Sequence, residues 1–489
     1  MGSPRVEVDK VKALGFQGWL DAQFGMARDS SLWDWLSANG YNVPANASSG
    51  STGFDPAMWR SLIAAPDLLR QRVALALLDL LPVGIDGLNV TWKQFAMAAY
   101  VDLLFDGAFG NYRALLDGIT KNYAMGLWLS FLANKKANPQ TGAEPDENYA
   151  REVMQLFTIG LRQLNLDGTE KQANGGPIDT YSQTDVTQLA RVFTGLWADS
   201  WDTTTPDRLK RPLIAFEAQH ETAASTFLGV TVPAGTATMD AVKIALDALF
   251  NHPNLPPFVS KQLVQRLVTS NPSPAYVARV AAKFIDNGAG VRGDMKAIVT
   301  AILMDDEARS EGGLSNPAFG KLREPVMRLT NWARAFGATS ASNAWAIGDT
   351  SSQVNRLGES MGRSPSVFNW FRPGYVPPNT LMSQNGLAAP EFQITNELTT
   401  VAYINFMQTL IAGGMGDFKA DYTAISAKAG DSSALVAELN IILASGQLGA
   451  ATVATIKGAV ESITATNVAQ RVQTAILLVM AAPEYLVQR

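Results

Sequence analysis

Two carboxylates stand where they could act together: Glu152, in the run PDENYAREVMQLFTIG at 145–160, and Asp185, in YSQTDVTQLARVFTGLW. Read at 3.6 residues per turn, the first run puts Asn148, Arg151, Glu152 and Gln155 on one side of a helix. The opposite side is an apolar stripe of Tyr149, Val153, Leu156 and Phe157, expected to be buried. A carboxylate beside an arginine is normally held ionised, which suits a base or nucleophile. Asp185 is followed by Gln188 and Arg191 on the same flank of the next helix. If the two helices pack, carboxylates roughly 5–9 Å apart would meet the need of glycoside hydrolysis. Asn148, Arg151, Gln155 and Arg191 would then bind substrate, and tryptophans could stack on sugar faces. Two structural readings compete. An Arg–Glu network can tie core helices together, with Glu147–Arg151 as an i,i+4 pair. Ser182 and Asp185 also have the spacing of a capping box, which accounts for Asp185 without catalysis.

Other candidates lie further along. His220 with Glu221, near Glu217, could supply a general base or one metal ligand; a partly buried structural histidine fits as well. Asn369, Trp370 and Tyr375 sit in PSVFNWFRPGYVPPN, a proline-stiffened loop, and Glu391 opens the segment after it. The loop either plugs its aromatics into the core or forms a binding wall. The polar stripe around Glu152 is the most demanding unmatched surface in the chain, so the 365–379 loop is expected to fold over it. That would bring Asn369 and Trp370 near Asn148 or Glu152. The GESMG run at 358–362 matches a nucleophile elbow literally, but no convincing strand precedes it and both histidines come earlier, which argues against a serine hydrolase. Asp167-Gly168 reads as a turn rather than a calcium loop.

The elements that must position these groups are helical. Periodicity predicts helices over 8–24, 66–81, 90–105, 111–130, 146–159 and 183–195. Further ones are expected over 240–250, 256–269, 274–287, 292–304, 321–336, 390–412, 419–428, 431–445 and 466–481. Residues 38–56 read as a loop. Turn signals at 167–168 and 175–177 predict a β-hairpin over 161–182, and short strands are expected within 196–238. The fold class is therefore mainly α, a large multi-helical bundle-like body with minor β-hairpins. One domain over 8–489 is expected, with N-terminal (8–195) and C-terminal (240–489) lobes around an irregular insert at 196–239.

Composition closes several function classes. The chain has 489 residues, 47% hydrophobic and 17% charged, with a formal charge of −5. Basic residues are scattered, so nucleic acid is not an expected partner. With no cysteine, disulfides, thiolate chemistry and cysteine-bound zinc are excluded. Two histidines rule out a three-histidine site. No cofactor is expected, and a divalent metal is left open. No run of 18 apolar residues predicts a membrane span, and MGSPRVEVDKV has no signal-peptide pattern.

PDENYAREVMQLFTIGLRQLNLDGT, YSQTDVTQLARVFTGLW, PSVFNWFRPGYVPPN, GLAAPEFQITNE and the ending PEYLVQR occur in that order. Together they resemble the bacterial domain-of-unknown-function family 1800 (DUF1800), from about residue 8 to 489, with the family's usual opening phrase missing. The resemblance implies export to the periplasm or exterior and a possible partner, a phosphatase-superfamily-like protein of family DUF1501. It carries no established activity. Where the family commonly has His-Asp followed by Lys, this chain has His220-Glu221 and Ser225. Two functions stay open: a hydrolase of an envelope or extracellular polysaccharide, using Glu152 and Asp185, or a non-catalytic scaffold or carbohydrate- or protein-binding envelope protein.

Overall fold

Helix Leu68–Leu80 reads LLRQRVALALLDL and helix Lys93–Gly107 reads KQFAMAAYVDLLFDG. Each is apolar on nearly every side, so each must be covered all round. In the computed structural model, which describes residues 1–47 and 50–489, they pack against each other. Helices Leu32–Ala38, Phe54–Ala64, Tyr112–Thr120 and Leu255–Leu267 complete the cover. The architecture is mainly α. Strands among the described residues form five two-stranded antiparallel ribbons.

The buried apolar side chains form one cluster from Leu20 to Tyr485, and Leu196, Leu209, Phe227 and Val232 of the 196–239 segment belong to it. The later helices join the same core. Helix Pro325–Ala335 sends Arg334 to cap helix Phe54–Ala64, donating to Leu62 O at 2.6 Å and Ala65 O at 3.0 Å. Capping follows the side-chain chemistry. Asn122, Ser273, Asp294 and Asp431 each accept backbone N–H groups that open a helix.

Three of the five ribbons fall in the expected segments, whereas Lys321–Leu322 with Val487–Gln488 and Thr339–Ser340 with Phe418–Lys419 form where no strand is expected. Gln172–Ala173 pairs with Gly176–Pro177, Leu196–Trp197 with Ile214–Ala215, and Ser225–Phe227 with Val230–Val232. The helix expected over 111–130 is broken into Tyr112–Thr120 and Tyr123–Trp128, and only Thr423–Ser426 of the expected 419–428 helix forms. Two further long helices depart from the sequence reading. Phe54–Ala64 begins inside the predicted 38–56 loop, and Ala450–Glu461 occupies a stretch given no element. The second reads AATVATIKGAVE, whose β-branched residues weaken intrinsic helix preference. Packing against Val468–Ala481 overrides that preference. Among the described residues no helix is long and apolar enough to cross a membrane.

Candidate functional site

The 145–160 run is helical in two registers: an α-helix over Asn148–Glu152, then a π-helix over Val153–Thr158. This corrects the single α-helix expected over 146–159. The i→i+5 bonding of the π turn shifts which residues face inward. Tyr149, Val153 and Phe157 are buried as expected, together with Met154 and Thr158, but Leu156 is only half-buried.

Helix Asn148–Glu152 packs on helix Gln183–Val192, and a local polar network joins them. Arg151 donates to Glu147 Oε2 at 3.2 Å and Gln183 Oε1 at 2.9 Å, and Thr187 donates to Glu147 Oε1 at 2.7 Å. Asn148 N–H donates to Asp146 Oδ1, and Gln155 Oε1 accepts from the Tyr181 hydroxyl at 3.3 Å. Glu152 stands apart from this network, 7% exposed, with Oε2 buried and without a partner. Burial raises its pKa, and Arg151 only partly offsets that. The expectation that Arg151 keeps Glu152 ionised is therefore corrected: the guanidinium is engaged by Glu147 and Gln183 instead.

Asp185 is used by its own helix. Its Oδ2 accepts from the Ser182 N–H and hydroxyl, both at 2.7 Å, completing the capping box. Its Oδ1 accepts from Leu228 N–H at 2.7 Å. Burial pushes this carboxyl up, but Leu228 and Ser182 outweigh it and the pKa is lowered. Arg191 pairs with Glu221 at 3.3 Å. His220 is buried, with Nδ1 2.8 Å from Thr194 O, so that nitrogen carries the proton and donates. Gly195 has φ +79°, and a Cβ there would lie 2.9 Å from His220 Cβ, so this approach requires glycine.

The 365–379 loop takes its polar partners elsewhere, and among the described residues no hydrogen bond joins it to the Glu152 helix. Asn369 Nδ2 donates to Asp79 Oδ1 at 2.6 Å, its Oδ1 accepts from Ser364, and Trp370 Nε1 donates to Ser360 O. Phe371 is buried, and Trp370 and Tyr375 are half-buried. Arg151 and Gln155 find nearer partners in Glu147, Gln183 and Tyr181, while Glu152 Oε2 is left without one.

Asn369 and Glu391 instead join a buried acid–base cluster that the sequence did not reveal. Lys321 Nζ donates to Glu324 Oε1 at 3.1 Å, Glu391 Oε1 at 3.0 Å and Arg266 O at 2.9 Å. These three acidic and basic side chains are each 2% exposed. Arg266 donates to Asp79 O, and Arg72 to Arg266 O. Glu359 Oε2 accepts from Val326 N–H at 3.1 Å. Burial pushes Asp79 up to about 7, with Glu324 adding to it. Burial likewise raises Glu359 and Glu391. Burial would raise Glu324 too, but Lys321 and Arg72 hold it below its ordinary value. Among the described residues Asp79 Oδ2, Glu359 Oε1 and Glu391 Oε2 are buried without a hydrogen-bond partner.

Four cavities are lined by neither Glu152 nor Asp185. One of about 640 Å³ is bounded by Trp33, Asp34, Asp117, Lys121, Lys210 and Arg211 among others. Lys210 lies over the Trp33 ring at 4.9 Å. Arg211 pairs with Asp199 at 2.9 Å. Beside these two residues runs the ribbon of Leu196–Trp197 and Ile214–Ala215, in which Trp197 faces Ile214 across the strands. The Phe216 ring lies 5.0 Å from that of Trp197. Ile214, Phe216 and Trp201 are exposed at 42%, 43% and 54%.

A family model described as "Protein of unknown function (DUF1800)" matches residues 1–487. The chain belongs to the DUF1800 family. No curated protein and no solved structure matches it. Within this DUF1800 chain, the described residues contain no group of three or more His, Asp or Glu side chains arranged to hold a metal ion. Of the sequence-predicted residues, Arg151 meets Gln183 on the Asp185 helix and Arg191 meets Glu221. Asn369 and Glu391 meet Asp79 and Lys321. Asp79, Arg266 and the Lys321–Glu324 pair come from three distant stretches of sequence, so no local spacing reports the cluster. The one local signal is a charged residue ending an apolar run, as with Asp79 after Val73–Leu78.

Proposed function

We propose that this DUF1800 protein is a non-catalytic carbohydrate-binding protein, exported to the cell envelope as the family resemblance implies. The observation that carries this reading is the partly exposed aromatic ribbon: half-buried Trp197 against exposed Ile214 and Phe216, followed in the chain by the Asp199–Arg211 pair and exposed Trp201. Exposed apolar patches with a polar rim mark interaction sites. Flat rings beside a carboxylate and a guanidinium suit the apolar face and hydroxyl edge of a sugar. The neighbouring cavity of about 640 Å³ supplies further donors and acceptors, among them Lys121 and Asp117. Asp185, with both oxygens engaged by its cap and by Leu228, supports binding over hydrolysis.

The test is retention on a panel of insoluble envelope and extracellular polysaccharides. Retention of the full chain that falls at least about tenfold in Trp197→Ala and Trp201→Ala is expected, a loss of about 1.4 kcal/mol. Retention on none of the panel, or retention unchanged in both variants, overturns the reading.

A second reading rests on a separate observation. Glu152 and Asp185 have pKa values pushed in opposite directions, raised and lowered, on two packed helices. Such a divergence assigns an acid and a base in a glycosidase. Under this reading the bound polysaccharide is cleaved, and Glu152→Gln abolishes cleavage while retention persists. Release of no reducing ends from any retained polymer removes it.

A further inference from the structure

A second cavity, of about 680 Å³, borders the buried acid–base cluster through Arg72, Lys321 and Glu324 and plays no part in the reading above. Its wall is largely apolar: Val11, Phe16, Trp19, Leu69, Leu303 and Met327 contribute to it. Its inner end is formed by Arg72, Lys321, Arg323, Glu324 and Asn331. Lys321 and Glu324 are each 2% exposed and neutralise one another, with Glu391 as the second carboxylate on Lys321.

The two guanidiniums are different. Among the described residues neither Arg72 nor Arg323 has a carboxylate within ion-pair distance. Arg72 donates only to the carbonyl of Arg266, and its Nη1 is buried with no acceptor. Arg323 donates to Leu443 O at 3.1 Å and lies 4.8 Å from the centre of the Tyr485 ring. Both are half-buried. Arg72 shares the field of Glu324 with Lys321 but forms no direct ion pair and leaves Nη1 without an acceptor, so the two guanidiniums beside this apolar cavity are incompletely paired. Lys12 and Arg489 add positive charge at the wall, against Glu7 and Glu324. The cavity is thus cationic in a chain whose formal charge is −5. Its size is within the usual range of small-molecule sites, about 300–1,000 Å³.

We infer that this cavity binds an anionic amphiphile, an alkyl carboxylate whose head group lies between Arg72 and Arg323 and whose chain covers the apolar wall. Charge complementarity selects the anion, and a carboxylate matches the fork of a guanidinium. The aliphatic and aromatic lining selects the chain over a bare ion such as acetate. Glu324, already bound to Lys321, sets the inner limit of the head group by repelling a second carboxylate.

Calorimetric titration of the full chain with decanoate, decanol, decylammonium and acetate separates these contributions. Decanoate is expected to bind, decanol to bind at least about tenfold more weakly, and decylammonium and acetate not to bind measurably. Arg323→Gln should reduce decanoate affinity by about tenfold or more and leave decanol unchanged. Arg72→Lys, which keeps the charge, should retain part of the decanoate preference, and Val11→Trp should block both chains. Circular dichroism confirms that each variant is folded. If Arg72→Lys does not fold, Arg323→Gln and Val11→Trp carry the test alone. Equal affinity for decanoate and decanol, preference for decylammonium, or decanoate binding untouched by Val11→Trp overturns the inference. Failure here leaves the polysaccharide reading intact, because Trp197 and Trp201 line no part of this cavity.

Discussion

The helix pair carrying Glu152 and Asp185 and the cluster around Lys321 both gather carboxylates and cations, yet they are built in opposite ways. In the first, Glu147, Arg151, Gln183 and Thr187 lie on neighbouring elements and remain partly exposed. In the second, Asp79, Arg266, Lys321, Glu324, Glu359 and Glu391 come from distant parts of the chain and are nearly free of solvent contact. Water screens the first set, so each of its pairs is worth little. The second set depends on mutual compensation, because a buried charge without its partner is strongly unfavourable. Similar residue types therefore serve a local junction in one place and a long-range tie in the other.

The sharpest way to break the comparison is to remove the cation at the centre of the buried set. Lys321→Ala leaves Glu324 and Glu391 buried without their shared ammonium. It should lower stability by about 3–5 kcal/mol in urea unfolding. Replacing Lys321, Glu324 and Glu391 together with Met, Leu and Leu should recover much of that loss, since apolar packing can substitute for a buried ion set. A loss below about 1 kcal/mol for Lys321→Ala would put the cluster on the same footing as a surface pair.

The second test uses pH. Asp79, raised from 3.8 to about 7, binds its proton more tightly folded than unfolded. Between those two values the native state holds the proton that the unfolded chain has released. The contribution of Asp79 to stability is therefore full at acid pH and falls as pH rises toward 7, then levels off. Other buried carboxyls add slopes of their own, so the readout is the difference between wild type and Asp79→Asn. From pH 5 to pH 7 the wild type should lose stability relative to that variant. Parallel pH profiles would remove Asp79 as the titrating group.

The same contrast explains what was legible in the sequence. Helices with a strong 3.6 period, the 161–182 hairpin and the Ser182–Asp185 capping box depend on residues close in sequence, and local spacing reports them. Leu156 was misplaced because the π turn over Val153–Thr158 has no local signature in its apolar residues. In Ala450–Glu461, Thr and Val mask a helix that its neighbours stabilise, so local spacing does not report it. Adjacency points Arg151 at Glu152, whereas the guanidinium takes partners one turn back and on the next helix. The partners of Asn369 and Glu391 were invisible for a plainer reason. Asp79 is 290 positions from Asn369, and nothing in either segment names the other.

The smallest effects belong to the exposed junction, and they test whether locality there really means weakness. Ser182→Ala removes the hydroxyl that accepts from Asp185 N–H and donates to its carboxylate. Loss of an N-cap of this kind should cost about 1 kcal/mol. Arg151→Ala should cost no more than about 0.5 kcal/mol, because its pair with Glu147 is 39% and 33% exposed and Thr187 and Gln183 still donate to that glutamate. Raising salt should shrink the Arg151 effect further and leave the Ser182 effect almost unchanged, since one is Coulombic and the other a short-range hydrogen bond. Paired urea titrations at low and high ionic strength read both. If Arg151→Ala cost more than Ser182→Ala, the guanidinium would be acting on buried Glu152 after all. The distinction between screened junction and buried tie would then fail at the residue where the two regions look most alike.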